Sequence, residues 1–180
     1  MKFYYQMNQD LENNYETYNI SISKNEPGIL SCVCDLFSTR GYNIESLSVA
    51  PTIEPAFSRI TIVTVGDEFV IEQIGKQLNR LVNTIKVVEL PQSAEKCIEK
   101  ELIFCKITAK DNARSEILRI AEIFDAKIID VSTETYTLEF CGDSRQVKTI
   151  LALLKPLGVK ELVRSGVVAI TRENQFINLK

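Results

Sequence analysis

From Tyr18 onward, apolar and polar residues along the chain fall into a regular pattern. NISIS reads as a strand of period two, and NEPG after it supplies a turn, with Pro27 near a first helical position where its missing N–H costs little. In GILSCVCDLFSTRG, Leu30, Val33, Leu36 and Phe37 recur at helical spacing, and Gly41 is placed to close the helix in a left-handed conformation. YNIESLSVAP alternates again through Ile44, Leu47 and Val49, and the phase shift between Ile44 and Leu47 predicts a bulge. TIEPA forms a loop. FSRITIVTVG is a second strand in which Phe57, Ile60, Ile62 and Val63 lead into Gly66, so the pair makes a hairpin. DEFVIEQIGKQLNRLV repeats apolar residues at Val70, Ile71, Ile74, Leu78 and Leu81 behind Asp67 and Glu68, which sit at the dipole-favoured start of a helix. TIKVVEL is a short strand ending at Pro91.

The order strand, helix, strand, strand, helix, strand is the ferredoxin-like βαββαβ plan, with two helices on one face of a four-stranded antiparallel sheet. It recurs downstream. ELIFCKITA is a strand, NARSEILRIAEIF a helix with Ile117, Ile120, Ala121 and Phe124 inward, and AKIIDVS and TYTLEFCG are strands. DSRQVKTILALLKPLG is a helix, and VKELVRSGVVAITR a final strand segment broken at Ser165 and Gly166. The expected class is therefore α+β, two ferredoxin-like domains in tandem. The expected bounds are a flexible extension over 1–17, a first domain over 18–91, a polar, Pro-led linker over 92–98, a second domain over 99–172 and a tail over 173–180.

Composition narrows the function. A formal net charge of −3 with both signs interspersed gives no broad basic field for phosphate backbones or anionic lipids, so neither nucleic acid nor membrane is an expected partner. No apolar run approaches the roughly 20 residues that span a bilayer. The opening lacks the apolar stretch of a secretory signal and carries Asp10, Glu12 and Glu16 where an organelle transit peptide would be basic. A bias to Ile, Asn and Lys, with no Trp and no His, suggests an AT-rich genome such as a plastid's. The expected location is a plastid stroma if the chain is plastid-encoded, and otherwise the cytoplasm. Without histidine there is no Cys-His or Ser-His nucleophile and no histidine-ligated metal. No G-x-x-x-x-G-K-[ST] loop occurs. Cys32, Cys34, Cys97, Cys105 and Cys141 lie mostly in apolar segments and read as buried free thiols. Acidic pairs such as Glu68 with Glu72, or Glu95 with Glu99, read as solvated surface.

Two segments carry candidate chemistry. In KNEPGIL, free amides around Gly28, Ile29 and Leu30 at a helix N-terminus would favour an anion such as a carboxylate, and Gly28 has no side chain to block its approach. The alternative is an ordinary strand-to-helix turn with Asn25 as a local cap. In GYNIESL, Asn43 offers both a donor and an acceptor to a zwitterionic amino acid; an Asn beside a glycine cap also serves as plain turn chemistry.

NEPGILSCVCDLFSTRGYNIESLSVAPT, SRITIVTVGDE and IEQIGKQLNRLVNTIKVVEL, in this order, resemble the ACT domain of the acetohydroxyacid synthase (acetolactate synthase) small subunit. KELIFCKITA, IFDAKIIDVS and ELVRSGVVAITR are similar to the family's C-terminal domain, so the likeness runs from about Tyr18 to Arg172. The resemblance implies a regulatory protein and not an enzyme in its own right. It implies a homodimer whose ACT sheets join edge to edge, with a branched-chain amino acid, usually valine, bound between the two copies. Residues matching the family's effector site are Asn25, Gly28, Ile29 and Leu30 from one chain with Asn43 and Ile44 from the neighbour. The implied partner is a catalytic large subunit, activated by this chain and made sensitive to feedback inhibition; thiamine diphosphate, FAD and magnesium belong to that subunit. Competing expectations are a free-standing ACT-type sensor acting on another enzyme, an enzyme of unrecognised chemistry, and an RNA-binding module of the same plan.

Overall fold

The computed structural model describes residues 15–91, 97–109 and 113–172. The expected extension, except for its last residues, and the expected tail lie outside them, as does most of the expected linker. The chain divides into two compact units, one made of the residues up to Ile98 together with those from Ala169 onward, the other Glu99–Val168.

In the first unit the elements are β1 (Tyr15–Lys24), α1 (Ile29–Arg40), β2 (Ser46–Pro51), β3 (Phe57–Gly66), α2 (Glu68–Leu78) and β4 (Thr84–Pro91). The sheet order is β2-β3-β1-β4 with every pair antiparallel. β1 starts three residues ahead of the expected Tyr18 because Tyr15 through Thr17 extend the pairing with Thr64, Val65 and Gly66. The bulge predicted after Ile44 has a counterpart at Glu45, whose N–H donates to Val63 O although Val63 stands opposite Ser46. Asp67 caps α2 by accepting from the Val70 N–H at 2.7 Å. Gly41 closes α1 at φ 69°, as its position predicts.

The helices bury Ile29, Val33, Phe37, Ile74 and Leu78 against Ile60 and Ile62 of β3. Leu30 was expected on this inward face; instead it is 41% exposed, and Ile29 takes the inward place at the first turn. The register sets Asn19 opposite Ile62 and Ser21 opposite Ile60, and residues directly opposite point to the same side. The helix side of β1 is therefore polar. Thr17, Asn19, Ser21 and Ser23 are buried there, with Asn19 Nδ2 donating to Thr64 Oγ1 at 3.2 Å and the Ser21 and Ser23 hydroxyls bonded at 3.1 Å. The apolar residues of β1, Tyr18, Ile20 and Ile22, point to the other face together with Val63, and they too are almost fully buried. On that face Arg59 of β3 donates from Nη2 to the carbonyl of Ala169, one of the residues grouped with this unit, at 2.6 Å.

The second unit holds β5 (Cys97–Thr108) from Glu99 onward, the strand itself starting inside the expected linker, then α3 (Ala113–Phe124), β6 (Lys127–Val131), β7 (Thr135–Gly142), α4 (Ser144–Leu154) and β8 (Val159–Arg164). The order is β6-β7-β5-β8, and β9 (Val168–Thr171) pairs with β5. The break before β9 falls at Ser165 and Gly166, where Gly166 takes φ 78°. Ile103, Cys105 and Ile107 of β5 and Leu138 and Phe140 of β7 meet Ile117, Ile120 and Ala121 of α3 and Val147, Ile150 and Leu154 of α4. A capping box between Asp143 and Gln146 starts α4, and the Glu99 carboxylate accepts from the Ser144 N–H and hydroxyl. Glu101, 2% exposed, is held by a two-pronged ion pair with Arg164.

Candidate functional site

The β1-to-α1 turn groups four of the expected effector residues. Gly28 is the N-cap residue of α1, at φ 90° and ψ −11°, and no side chain caps the helix. A Cβ at Gly28 would meet nothing within 4 Å, so the space above the helix start is open. The Ile29 N–H makes a long 3.5 Å bond to Glu26 O and the Cys32 N–H bonds to Gly28 O, while the Leu30 and Ser31 amides have no acceptor among the described residues. These two donors, with the positive end of the helix dipole behind them, can hold a carboxylate. Ile29 contributes backbone only, because its side chain is in the core; Leu30, turned outward, offers an apolar wall.

Asn25 does not cap the helix, so the expected local cap is corrected while the segment still serves as a strand-to-helix turn. The Asn25 N–H donates to Ala56 O at 2.7 Å and its Nδ2 to Pro55 O at 3.0 Å. The helix start is thereby moored to the loop that follows β2. Sequence reasoning missed this mooring, since nothing in the spacing links residue 25 to residue 55. Pro27 sits just before the cap and not inside the first turn.

Asn43 and Ile44 lie beyond the other end of α1. The helix has 12 residues, so these groups are separated from Gly28 by roughly 18 Å along its axis at about 1.5 Å per residue. Asn43 is exposed, with its Nδ2 donating to Glu45 Oε1 at 2.5 Å and no donor to its side-chain oxygen among the described residues. Ile44 is half-buried against the core of the first unit, and Tyr42 packs edge-on against Phe37 at 6.2 Å. One copy of the chain thus places the expected effector residues in two separate groups: Asn25 and Gly28–Leu30 toward the Pro51 end of β2, and Asn43 and Ile44 toward its Ser46 end.

The rest of the surface gives less. A depression of about 550 Å³ is lined by Glu68, Phe69, Ile71, Glu72 and Glu89, none of them an expected effector residue. Burial, then the neighbouring Glu72, push the Glu89 carboxyl above its usual range, and Lys76 partly offsets them. No group of three or more His, Cys, Asp or Glu among the described residues could hold a metal. The cysteines correct their expected burial: all are free, Cys97 and Cys105 are buried, and Cys32 and Cys141 are exposed. Burial raises the Cys105 thiol to about 11.

Residues 20–86 match the family described as the AHAS small subunit-like ACT domain, and residues 100–173 match the small subunit of acetolactate synthase. The chain belongs to the acetolactate synthase small-subunit family. It is 47% identical over 151 residues to the acetolactate synthase small subunit of Aquifex aeolicus, covering 83% of this chain and 78% of that one. It is 48% identical over 155 residues to the isozyme 3 small subunit of Salmonella typhimurium, covering 86% and 94%. The crystal structure of the acetolactate synthase small subunit from Thermotoga maritima superposes with a TM-score of 0.81 at 37% identity, covering 89% of this chain and 99% of that one. The two βαββαβ units, the first of them ACT-like, are thus the architecture of the family. No helix of the described residues is long and apolar enough to cross a membrane.

Proposed function

We propose that this small subunit is a valine sensor: it binds the amino acid between two copies of its ACT unit and reports the occupancy to a separate catalytic subunit, which it also activates. The observation that carries this is the separation of the half-sites to opposite ends of β2. Two copies related by a two-fold axis and paired antiparallel along β2 bring the Ser46 end of one beside the Pro51 end of the other. Asn43 and Ile44 then face Gly28 and Leu30 across the axis, twice.

β2 suits such pairing. Of the strands that end the two sheet orders, β4 carries Lys86 and Glu89, β6 carries Lys127 and Asp130, and β8 carries Lys160, Glu161 and Arg164. β2, with the sequence SLSVAP, carries no charge and leaves Val49 42% exposed. Charged residues are the usual protection of a free edge, so an uncharged one invites a partner strand.

In this reading the ligand carboxylate meets the Leu30 and Ser31 amides, Asn25 and Asn43 hold the polar groups, and the aliphatic side chain lies between Leu30 and Ile44. Valine regulates because it binds with unequal affinity to arrangements that affect the partner differently. Thiamine diphosphate, FAD and magnesium are assigned to the catalytic subunit, and the chain itself performs no turnover. The Ile-, Asn- and Lys-rich composition supports synthesis in a plastid, with the cytoplasm as the other setting.

The test is reconstitution. Purified chain added to an acetolactate synthase catalytic subunit raises its turnover of pyruvate, and valine then lowers it. Stimulation without any valine response would leave a structural subunit. Valine binding with no complex would leave a free-standing sensor. Pyruvate turnover by this chain alone would overturn the assignment.

A further inference from the structure

We infer that Arg59 is a positioning residue for regulation: through β3 it ties the loop moored by Asn25 to the point where the chain returns from the second unit, and valine occupancy is passed along that line. This inference rests on the sensor reading above and adds the route. The chain passes between its two units twice, after Ile98 in β5 and after Val168 in β9. On the side of the first unit, each passage is held by an arginine on a backbone carbonyl. Arg59 Nη2 donates at 2.6 Å to the carbonyl of Ala169, the first residue after the return. Arg172 Nε donates at 3.3 Å to the carbonyl of Cys97, next to Ile98.

Arg59 also lies close, along the chain, to the candidate effector site. Asn25 donates to the Ala56 and Pro55 carbonyls, and Ala56 leads directly into β3. Arg59 follows roughly 10 Å further on, at about 3.4 Å per residue. That stretch cannot move piecemeal, because β3 is paired on both sides: Ser58 stands opposite Ser23 and Pro51, and Arg59 opposite Ile22 and Ala50. A shift of Pro55 and Ala56 therefore carries Arg59 with it. Stability alone gives little reason for an arginine there. It is half-buried, burial lowers its pKa, and among the described residues it pairs with no carboxylate. Beyond the Ala169 carbonyl that it holds, the chain runs back through Gly166, at φ 78°, to Ser165, whose N–H and hydroxyl are bonded to the Leu102 backbone. Only Gly166, Val167 and Val168 lie between these two fixed points, so little chain is left to absorb a movement of Ala169. Valine on the Asn25 side-chain oxygen would fix the loop while Nδ2 stays on Pro55 O, and the loop in turn fixes Arg59.

Hydrogen exchange of the full-length chain, with and without valine, tests the route. Valine is expected to slow exchange about fivefold or more over residues 55–59 and again over 167–171. In Arg59→Gln the slowing is expected to persist over 55–58 and to be lost over 167–171. Its valine affinity by calorimetry is expected to stay within about threefold of wild type, since no bond to the ligand is removed. Arg59→Lys, whose ammonium can still donate to a carbonyl, is expected to keep the slowing at 167–171. Slowing there that survives Arg59→Gln overturns the relay. So does a loss of affinity and of protection throughout the first unit, the mark of an arginine that only supports the fold. The wild-type measurement needs no variant: valine protection over 26–31 and 55–58 that stops short of 167–171 also overturns it. A wild-type chain that binds no valine overturns the sensor reading itself, and the relay falls with it.

Discussion

Replacing Gly28 by aspartate separates the two things this glycine provides, a left-handed backbone and an open approach to the helix amides. At φ 90°, with nothing within 4 Å of the point where a Cβ would stand, Gly28→Ala has room for its side chain and costs only the backbone penalty, roughly 1–2 kcal/mol. Gly28→Asp adds a carboxylate at the N-cap, within reach of the N2 and N3 amides, here Leu30 and Ser31. It takes the donors assigned to the ligand and repels the ligand's own carboxylate. With roughly 1.5 kcal/mol lost for each charge-assisted bond, two lost bonds come to about 3 kcal/mol, or more than a hundredfold in affinity. The assay is valine inhibition of the reconstituted complex, with the melting temperature of each variant recorded beside it. Gly28→Asp is expected to raise the half-inhibitory valine concentration more than a hundredfold while stimulation of the catalytic subunit persists. Gly28→Ala is expected to change it far less. Half-inhibition of Gly28→Asp within about threefold of wild type refutes the carboxylate site, and equal losses in both variants refute the charge argument.

Further outcomes follow from the packing and the titrating groups. Phe37→Ala, at a side chain 1% exposed, is expected to cost about 3–5 kcal/mol by urea unfolding; a cost below about 1 would contradict its place in the core. Arg164→Ala leaves Glu101 buried without its ion pair and is expected to lower the melting temperature more than Glu161→Ala, whose 3.5 Å pair with Lys106 is exposed. The raised Glu89 carboxyl favours the folded state while protonated, and that contribution is lost as pH rises through its folded value, above the ordinary 4.5. Glu89→Gln should therefore stabilise at pH 7 and become neutral near pH 4, and a thermal-melt series showing the reverse sign would contradict the burial argument. With its thiol near 11, Cys105 is expected to resist alkylation at pH 8 while exposed Cys32 reacts, as peptide mapping after iodoacetamide will show.

Periodicity made the helices and strands legible because each buries one stripe of apolar residues. Ile71, Ile74 and Leu78 in α2, and Ile117 and Ile120 in α3, lie where their spacing puts them. The first sheet was harder to read. Tyr18, Ile20 and Ile22 alternate cleanly, yet they point away from the helices, and the side of β1 beneath α1 and α2 is held by Asn19, Ser21 and Thr17. Alternation reveals that two faces differ; it does not say which one the helices cover when both are buried. Leu30 and Ile29 exchanged places for a related reason: adjacent apolar residues at the first turn leave the phase of a short helix undetermined. At the candidate site, Gly28 was legible as the residue that keeps the amides open. The bond from Asn25 to the Pro55 carbonyl was not, since it joins residues 30 apart through the fold. The proposed link between Asn43 and Gly28 joins two copies and so has no trace in one chain's pattern; only the resemblance of the motifs implies it.

In the proposed sensor each effector site takes one half from each of two copies. Gly28→Asp and Asn43→Ala chains, each expected to bind no valine alone, test this when unfolded together, refolded as an equal mixture and titrated with valine by calorimetry. Half of the randomly assorted pairs then join one chain of each kind, and each such pair keeps one site with both halves intact. The mixture is therefore expected to regain tight binding at about one valine per four chains. No regained binding in the mixture, with the refolded wild type binding normally, would contradict the shared site.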